Sequence, residues 1–497
     1  MIHSPFSCFP RMLLLRVLLG VAVPALAETE GDPRKPNVLF LFTDDQRADT
    51  IHALGNERIK TPNLDRLVKR GVSFDNAYIM GATSMAVCTP SRACLFSGRT
   101  LWNLESQGAW DFAIPERYKT MAQVFLESGY TTFATGKNDP GFGREDHFAR
   151  SFNAGDMLYY RGGHRGQNRT PLFSFFPDGK QLRKNQISGD GRFNADLFAD
   201  ACVDFLEGRK ATEDPFFAYV SFMTPHDPLN CPDEYLAIYD AEDMELPPNF
   251  MPEHPFDAGV NQIRDEKLMA RPLTGQKLLE RLAKYYALVT HTDAQIGRIL
   301  DALEQSGHAD NTIIVFSSDN GLALGSHGLT GKQNLYEHSV KVPLIISGPG
   351  IPEGERRGQL CYLYDIYPTL CERAGLEVPD TVQFRSLNPI IADAGAKHRE
   401  HLYFAFMSWH RSVRDRRYKL IEYCVDGERE TQLFDLQDDP AEIENLAAAE
   451  AMQATLARLR DRLASERKRL NDGNSESSHT KQMSEEFWSS YGQAARE

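Results

Sequence analysis

Two continuous apolar runs constrain this 497-residue chain more than any other feature. Residues 37–42 read Asn-Val-Leu-Phe-Leu-Phe and residues 312–318 read Thr-Ile-Ile-Val-Phe-Ser-Ser, both of strand length. A strand that is apolar on its two alternating faces has to be covered on both, which is the situation of a central strand in a parallel sheet sandwiched by helices. Each run ends abruptly in oxygen-bearing side chains: Thr43-Asp44-Asp45 after the first, Asp319-Asn320-Gly321 after the second. Further strand-like runs at 131–135, 216–223 and 344–347 alternate with helical patterns, and Thr61-Pro62 reads as a helix start. The sequence therefore predicts an α/β fold with a large, mostly parallel, mixed sheet between helices. Sheets of this kind bind ligands beyond the carboxyl ends of their strands, which is where these carboxylates fall.

Beyond that sheet the pattern changes. The larger, first domain is expected over 36–396. Short antiparallel strands at 402–407, 411–414, 418–423 and 432–436, followed by an amphipathic helix over 441–470, predict a smaller C-terminal α+β subdomain over 397–470. The polar tail, 471–497, is expected to be disordered. A hydrophobic content of 41% suits a globular core, and a formal charge of -14 excludes nucleic acid as a partner. It leaves anionic substrates open, because charge beyond a Debye length of about 8 Å is screened and local Arg and Lys decide.

At the N-terminus, Arg11 and Arg16 accompany an apolar stretch over 12–23, and Ala25-Leu26-Ala27 supplies small residues before a cut. Residues 1–27 thus read as a signal peptide, predicting export to the periplasm or medium, with a mature chain that has no membrane span. Cys8 leaves with the signal. Among the remaining seven cysteines no spacing fixes a disulfide framework.

Asp44, Asp45, Asp319 and Asn320 are candidate ligands of a hard divalent cation. Three carboxylates and an amide oxygen, without a Cys or His ligand pattern, favour Ca²⁺ or Mg²⁺ over zinc. Asp44-Asp45 alone would read equally well as a cap or a solvated turn; the second strand end is what makes a site. The third element is Cys88-Thr89-Pro90-Ser91-Arg92, by itself a buried thiol beside a turn.

Taken in order, from the Asp44-Asp45 strand to Arg417-Tyr418-Lys419-Leu420-Ile421, these motifs resemble the sulfatase family of the alkaline phosphatase superfamily. The resemblance implies an alkaline phosphatase-like fold and oxidation of Cys88 to formylglycine by a separate maturation enzyme. The hydrated aldehyde is then the nucleophile: one hydroxyl attacks sulfur, and collapse to the aldehyde later expels sulfate. It also implies calcium as the usual ion, with the group made from Cys88 joining Asp44, Asp45, Asp319 and Asn320 around it. By the same resemblance Arg92 steadies the hydrate, Lys137 contacts sulfate oxygens, and His226 and Lys332 stand at the leaving-group oxygen. His327, in Ser326-His327-Gly328, is a further candidate for substrate contact.

One position departs from the family. Sulfatases commonly read Gly-Lys-x-His where this chain reads Gly136-Lys137-Asn138-Asp139, and the missing His is the usual base for the hydrate. Asp139 is the candidate replacement, ionised at neutral pH with an ordinary pKa of about 3.9, and His147 and His164 lie in the same region. The leading expectation is an exported sulfatase acting on sulfated carbohydrate or another sulfate ester. The alternatives are a phosphodiester or phosphonate monoester hydrolase of the same superfamily, and a sulfated-glycan binding protein impaired in turnover.

Overall fold

The structure, a computed structural model, describes residues 35–106, 112–137, 150–153, 173–175, 193–209, 214–474 and 477–494. The signal segment, Asp139, His147 and His164 lie outside the described residues. In chain order the sheet and its helices are β1 (Asn37–Asp44), α1 (Pro62–Arg70), β2 (Gly71–Phe74), α2 (Cys88–Ser97), β3 (Thr131–Gly136), β4 (Arg150–Asn153), β5 (Phe173–Phe175), α3 (Asn194–Glu207), β6 (Phe216–Pro225), α4 (Gly275–Gln305), β7 (Thr312–Ser318), β8 (Leu344–Ser347) and β9 (Glu355–Arg357). The nine strands lie in the order β9-β2-β8-β7-β1-β6-β3-β4-β5. β8 and β5 run against their neighbours, and the others are parallel.

Every residue of β1 is buried. Its alternating side chains divide between two cores: Val38, Phe40 and Phe42 pack with α2, while Leu39 and Leu41 pack with α1, α3 and α4. This is why the run shows no polar alternation, since neither face meets water. Each such side chain contributes about 1.5–3 kcal/mol relative to exposure.

The C-terminal sheet comprises β10 (Leu402–Phe406), β11 (His410–Arg414), β12 (Tyr418–Val425) and β13 (Glu428–Asp435), antiparallel as expected. Its fifth strand is the short Gly81–Ala82 segment, which pairs with β10. The stretch preceding Cys88 is thereby stitched to the C-terminal sheet. The described residues from Lys35 onward cluster as one compact unit.

Two expectations differ from the structure here. The helix expected over 441–470 is α5 (Gln453–Arg469), and the residues before it turn instead. Side chains take the backbone groups a helix would use: Asn445 accepts from Leu433 N–H at 2.9 Å and Asp439 accepts from Glu444 N–H at 2.9 Å. The polar tail, in turn, carries α6 (Ser478–Ala494). Asp472 anchors it, accepting from Arg411 Nε at 2.7 Å and from the Tyr403 hydroxyl at 2.5 Å, and Phe487 is buried beneath the Arg411 guanidinium. Composition registers the many polar residues of this tail and passes over those residues in it that are buried, Asp472, Ser484 and Phe487 among them. Of the seven described cysteines six are buried, and Cys88 is half-buried.

Candidate active site

The site forms where β7, β1, β6 and β3, four adjacent parallel strands, end together. Register places Thr43 beside Ser318, Asp44 beside Pro225 and Ser221 beside Gly136. The side chains that follow these strands (Asp44-Asp45, Asp319-Asn320, His226 and Lys137) must then converge. Two backbone features aim them. Asp45 adopts a left-handed conformation with φ 65°, uncommon for a residue with a Cβ. Gly136 has φ +96°, and a Cβ there would meet Ser221 O at 1.9 Å, so only glycine lets the chain turn to present Lys137.

α2 supplies the remaining pieces. Cys88 is its first residue, and Sγ lies in a group with carboxylate oxygens of Asp44 and Asp319 whose members are all within 4.8 Å of one another. One turn on, Arg92 is fully buried; Nε donates to Asp319 Oδ2 at 2.8 Å and Nη1 donates to Ser221 Oγ at 2.5 Å and to the Tyr219 hydroxyl at 3.0 Å. Arg92 therefore ties the first turns of α2 to the end of β7. Lys137 Nζ pairs with Asp44 Oδ2. Lys332 Nζ donates to Asp45 Oδ1 at 2.6 Å, and His226 Nε2 lies 3.7 Å from Asp45 Oδ2.

Three buried carboxylates thus share one cluster with Arg92, Lys137 and Lys332, and their titrations diverge. Burial pushes Asp44 upward, but the charges of Lys137, His226, Lys332 and Arg92 outweigh it and hold the carboxyl below its ordinary range. Burial prevails at Asp45, which is raised despite Lys332. Asp319 is pushed up to about 6 by burial and the charge of Asp44, against Arg92. These donors fit a hard cation. Asp44 Oδ1 and Asn320 Oδ1 are buried without a hydrogen-bond partner among the described residues, and Asn320 Nδ2 is already committed to Asp45 Oδ1 at 2.6 Å and Gly321 O at 2.8 Å. The orphaned atoms are acceptors, as a divalent cation requires.

The structure brings together Asp44, Asp45, Cys88, Arg92, Lys137, His226, Asp319, Asn320 and Lys332. It does not bring His327 to them. The His327 ring stacks on Tyr336 at 3.8 Å, and its Nε2 bonds Glu442 O at 2.9 Å. Burial lowers its pKa to about 4, and the ring packs on Tyr336 in place of joining the cluster. Sequence reading passed over Asp265 and Glu266, which order the Lys332 loop. Glu266 accepts from Thr330 N–H at 2.9 Å and Gly331 N–H at 2.8 Å, and Asp265 Oδ2 accepts from Gln333 Nε2 at 2.7 Å. In the sequence, Arg264-Asp265-Glu266-Lys267 looks like a solvated charge run, and nothing local marks it as buried.

The sulfatase family model matches residues 36–376, and the model described as N-sulphoglucosamine sulphohydrolase, C-terminal, matches residues 325–469. The chain belongs to the sulfatase family. It is accordingly a sulfuric ester hydrolase, with an alkaline phosphatase-like fold. Among its relatives, an arylsulfatase of Clostridium perfringens is 30% identical over 88% of this chain and 96% of its own length. An N-acetylglucosamine-6-O-sulfatase of Bacteroides thetaiotaomicron is 27% identical over 88% and 86%. A solved sulfatase structure in complex with its substrate D-glucosamine-2-N,6-O-disulfate superposes with a TM-score of 0.73 at 24% identity, covering 89% of this chain and 99% of that one.

Proposed function

We propose that this sulfatase is exported and hydrolyses sulfate esters of carbohydrates, using formylglycine made from Cys88 and a bound divalent cation, calcium in preference to magnesium. The observation that carries the reading is the convergence of Cys88 with Asp44 and Asp319 beside two orphaned acceptor oxygens. The N-acetylglucosamine-6-O-sulfatase relative supports a sugar substrate, and Ala25-Leu26-Ala27 supports export. No helix among the described residues is long and apolar enough to cross a membrane.

Asp44, Asp45, Asp319 and Asn320 would hold the cation, which when bound supplies charge neutralisation at the sulfate and at the nucleophile oxygen. The chain's own residues do the rest. Arg92 fixes Asp319 and the start of α2 in one geometry. Lys137 turns from Asp44 to the sulfate oxygens as substrate enters. His226 and Lys332, both buried, deliver a proton to the departing alcohol oxygen or hold its charge. Asp139 remains the proposed base for the nucleophile on sequence grounds, with His147 and His164 as its alternatives.

The test is mass spectrometry of the Cys88 peptide from chain co-expressed with a formylglycine-generating enzyme, alongside turnover of an aryl sulfate and an aryl phosphodiester. Formylglycine with faster sulfate turnover supports the reading, whereas a thiol with full activity, or preference for the diester, refutes it.

Two further outcomes are expected. Lys332→Ala should lower kcat on a sugar sulfate by roughly 10²–10⁴-fold but much less on nitrophenyl sulfate, whose leaving group needs no proton. Equal losses on both substrates would move Lys332 out of this role. Calcium should raise the Tm of the parent chain by mass action, and Asp319→Asn should abolish that rise, because one charged ligand is gone. Calorimetry with and without chelator reads this directly; an undiminished calcium response would exclude Asp319 from the ligand set.

A further inference from the structure

Beside the cluster, on the His226 side, stand two guanidinium groups, those of Arg264 and Arg281, and the second has two nitrogens without a hydrogen-bond partner among the described residues. Asp227 follows His226, and its Oδ1 lies 3.3 Å from His226 Nδ1. Arg264 pairs with Asp227 Oδ2 and, through Nη1, with Asp265 Oδ1 at 2.9 Å. Arg281, on α4 between the buried Leu278 and Leu282, is within electrostatic reach of Asp227, Asp265 and Asp45, yet both nearer carboxylates are already held by Arg264. Its Nε and Nη2 are buried and have no hydrogen-bond partner among the described residues. A guanidinium carries five donors and cannot shed its charge, so burying Nε and Nη2 unmet is costly, and no described residue repays it.

An anion does repay it. We propose that Arg281, with Arg264 alongside, forms a second anion-recognition subsite next to the scissile sulfate, so that the preferred substrate is a sulfated sugar bearing one more anionic group, a carboxylate or a second sulfate. This rests on the carbohydrate reading above and narrows it. A planar, bidentate-capable guanidinium suits both anions, and its seclusion from water strengthens the contact. The competing account makes Arg281 a through-space counter-charge for Asp227 and Asp265. The two accounts differ in sign: a counter-charge stabilises the ligand-free chain, whereas an unpaired buried cation kept for substrate costs it stability.

The experiment uses the full chain carrying Cys88→Ala, so that ligands bind without turnover. Isothermal titration compares a neutral disaccharide bearing one sulfate, the same disaccharide with a second sulfate, and the same monosulfated disaccharide with one sugar oxidised to a uronate. The expected result is tighter binding of at least one dianionic probe. Arg281→Gln should lower the ratio of dianionic to monoanionic affinity about 10- to 100-fold, and Arg281→Lys by less. Which probe gains identifies the second anion. Arg281→Gln should also leave the ligand-free Tm unchanged or raise it. An unchanged affinity ratio, or a variant that only loses Tm, overturns the subsite while leaving the carbohydrate reading in place. Failure of all three probes to bind a chain whose Cys88 form turns over aryl sulfate overturns the carbohydrate reading and the subsite with it.

Discussion

Cys88→Ala is expected to abolish sulfate ester turnover, by about 10⁴-fold or more, while the chain folds normally. Removal of a covalent nucleophile commonly costs this much, because what remains is substrate binding and charge stabilisation alone. The fold should tolerate the change: Cys88 is half-buried at the first position of α2, and the hydrogen bonds that hold that helix belong to Arg92 and Ser91. Loss of one sulfur there is a small perturbation, within about 1 kcal/mol. Cys88→Ser should be equally inactive, since a lone hydroxyl has no second oxygen with which to expel sulfate. The check is kcat on an aryl sulfate together with a urea unfolding curve for each variant. Appreciable turnover by the Ala variant would sink the formylglycine mechanism, whereas a shifted midpoint would mean that Cys88 has a packing role as well.

The largest stability effect is expected far from the chemistry. Asp472→Ala should destabilise the protein by about 3–5 kcal/mol, the range for leaving one member of a buried ion pair alone. Arg411 and Asp472 are both fully buried, and Asp472 also collects the hydroxyls of Tyr403 and Ser484. Against a total of about 5–15 kcal/mol this is a large fraction. Burial works against the ionised carboxylate, but Arg411 and the hydrogen bonds to Ser484 and Tyr403 overcome it and lower its pKa. A lowered acid contributes stability that is present above its unfolded pKa, about 3.9, and is lost as pH falls from there. The penalty of Asp472→Ala should therefore shrink in acid. Denaturant unfolding at neutral and acidic pH measures both effects. A neutral-pH loss under about 1 kcal/mol would show that α6 is not docked through this residue.

The residues that the structure gathers into one cluster were for the most part already candidates in the sequence. β1 and β7 read as doubly covered strands because neither could hide a polar face. Asp44, Asp45, Asp319 and Asn320 read as candidate ligands because two buried strands end alike in oxygen side chains, where one such end alone would read equally well as a cap or a turn. Cys88, Arg92, Lys137, His226 and Lys332 were named through the family pattern, and the structure places them beside those oxygen side chains. His327 shows the limit of that method: its neighbourhood in sequence is that of the site, but its ring faces Tyr336 and Glu442.

By itself, then, the sequence determined what each strand must bury and which side chains its ends carry, because alternation and run length are local consequences of one chain meeting water or not. Only the tertiary structure decided which remote residues meet. Arg92 reaches Asp319 across 227 positions, Arg411 reaches Asp472 across 61, and Arg264 takes both of the carboxylates that Arg281 would need. No periodicity encodes such pairings. A buried charge looks the same as a solvated one in a sequence, and only the packing that removes water, and the partner that does or does not stand beside it, sets what that charge is for.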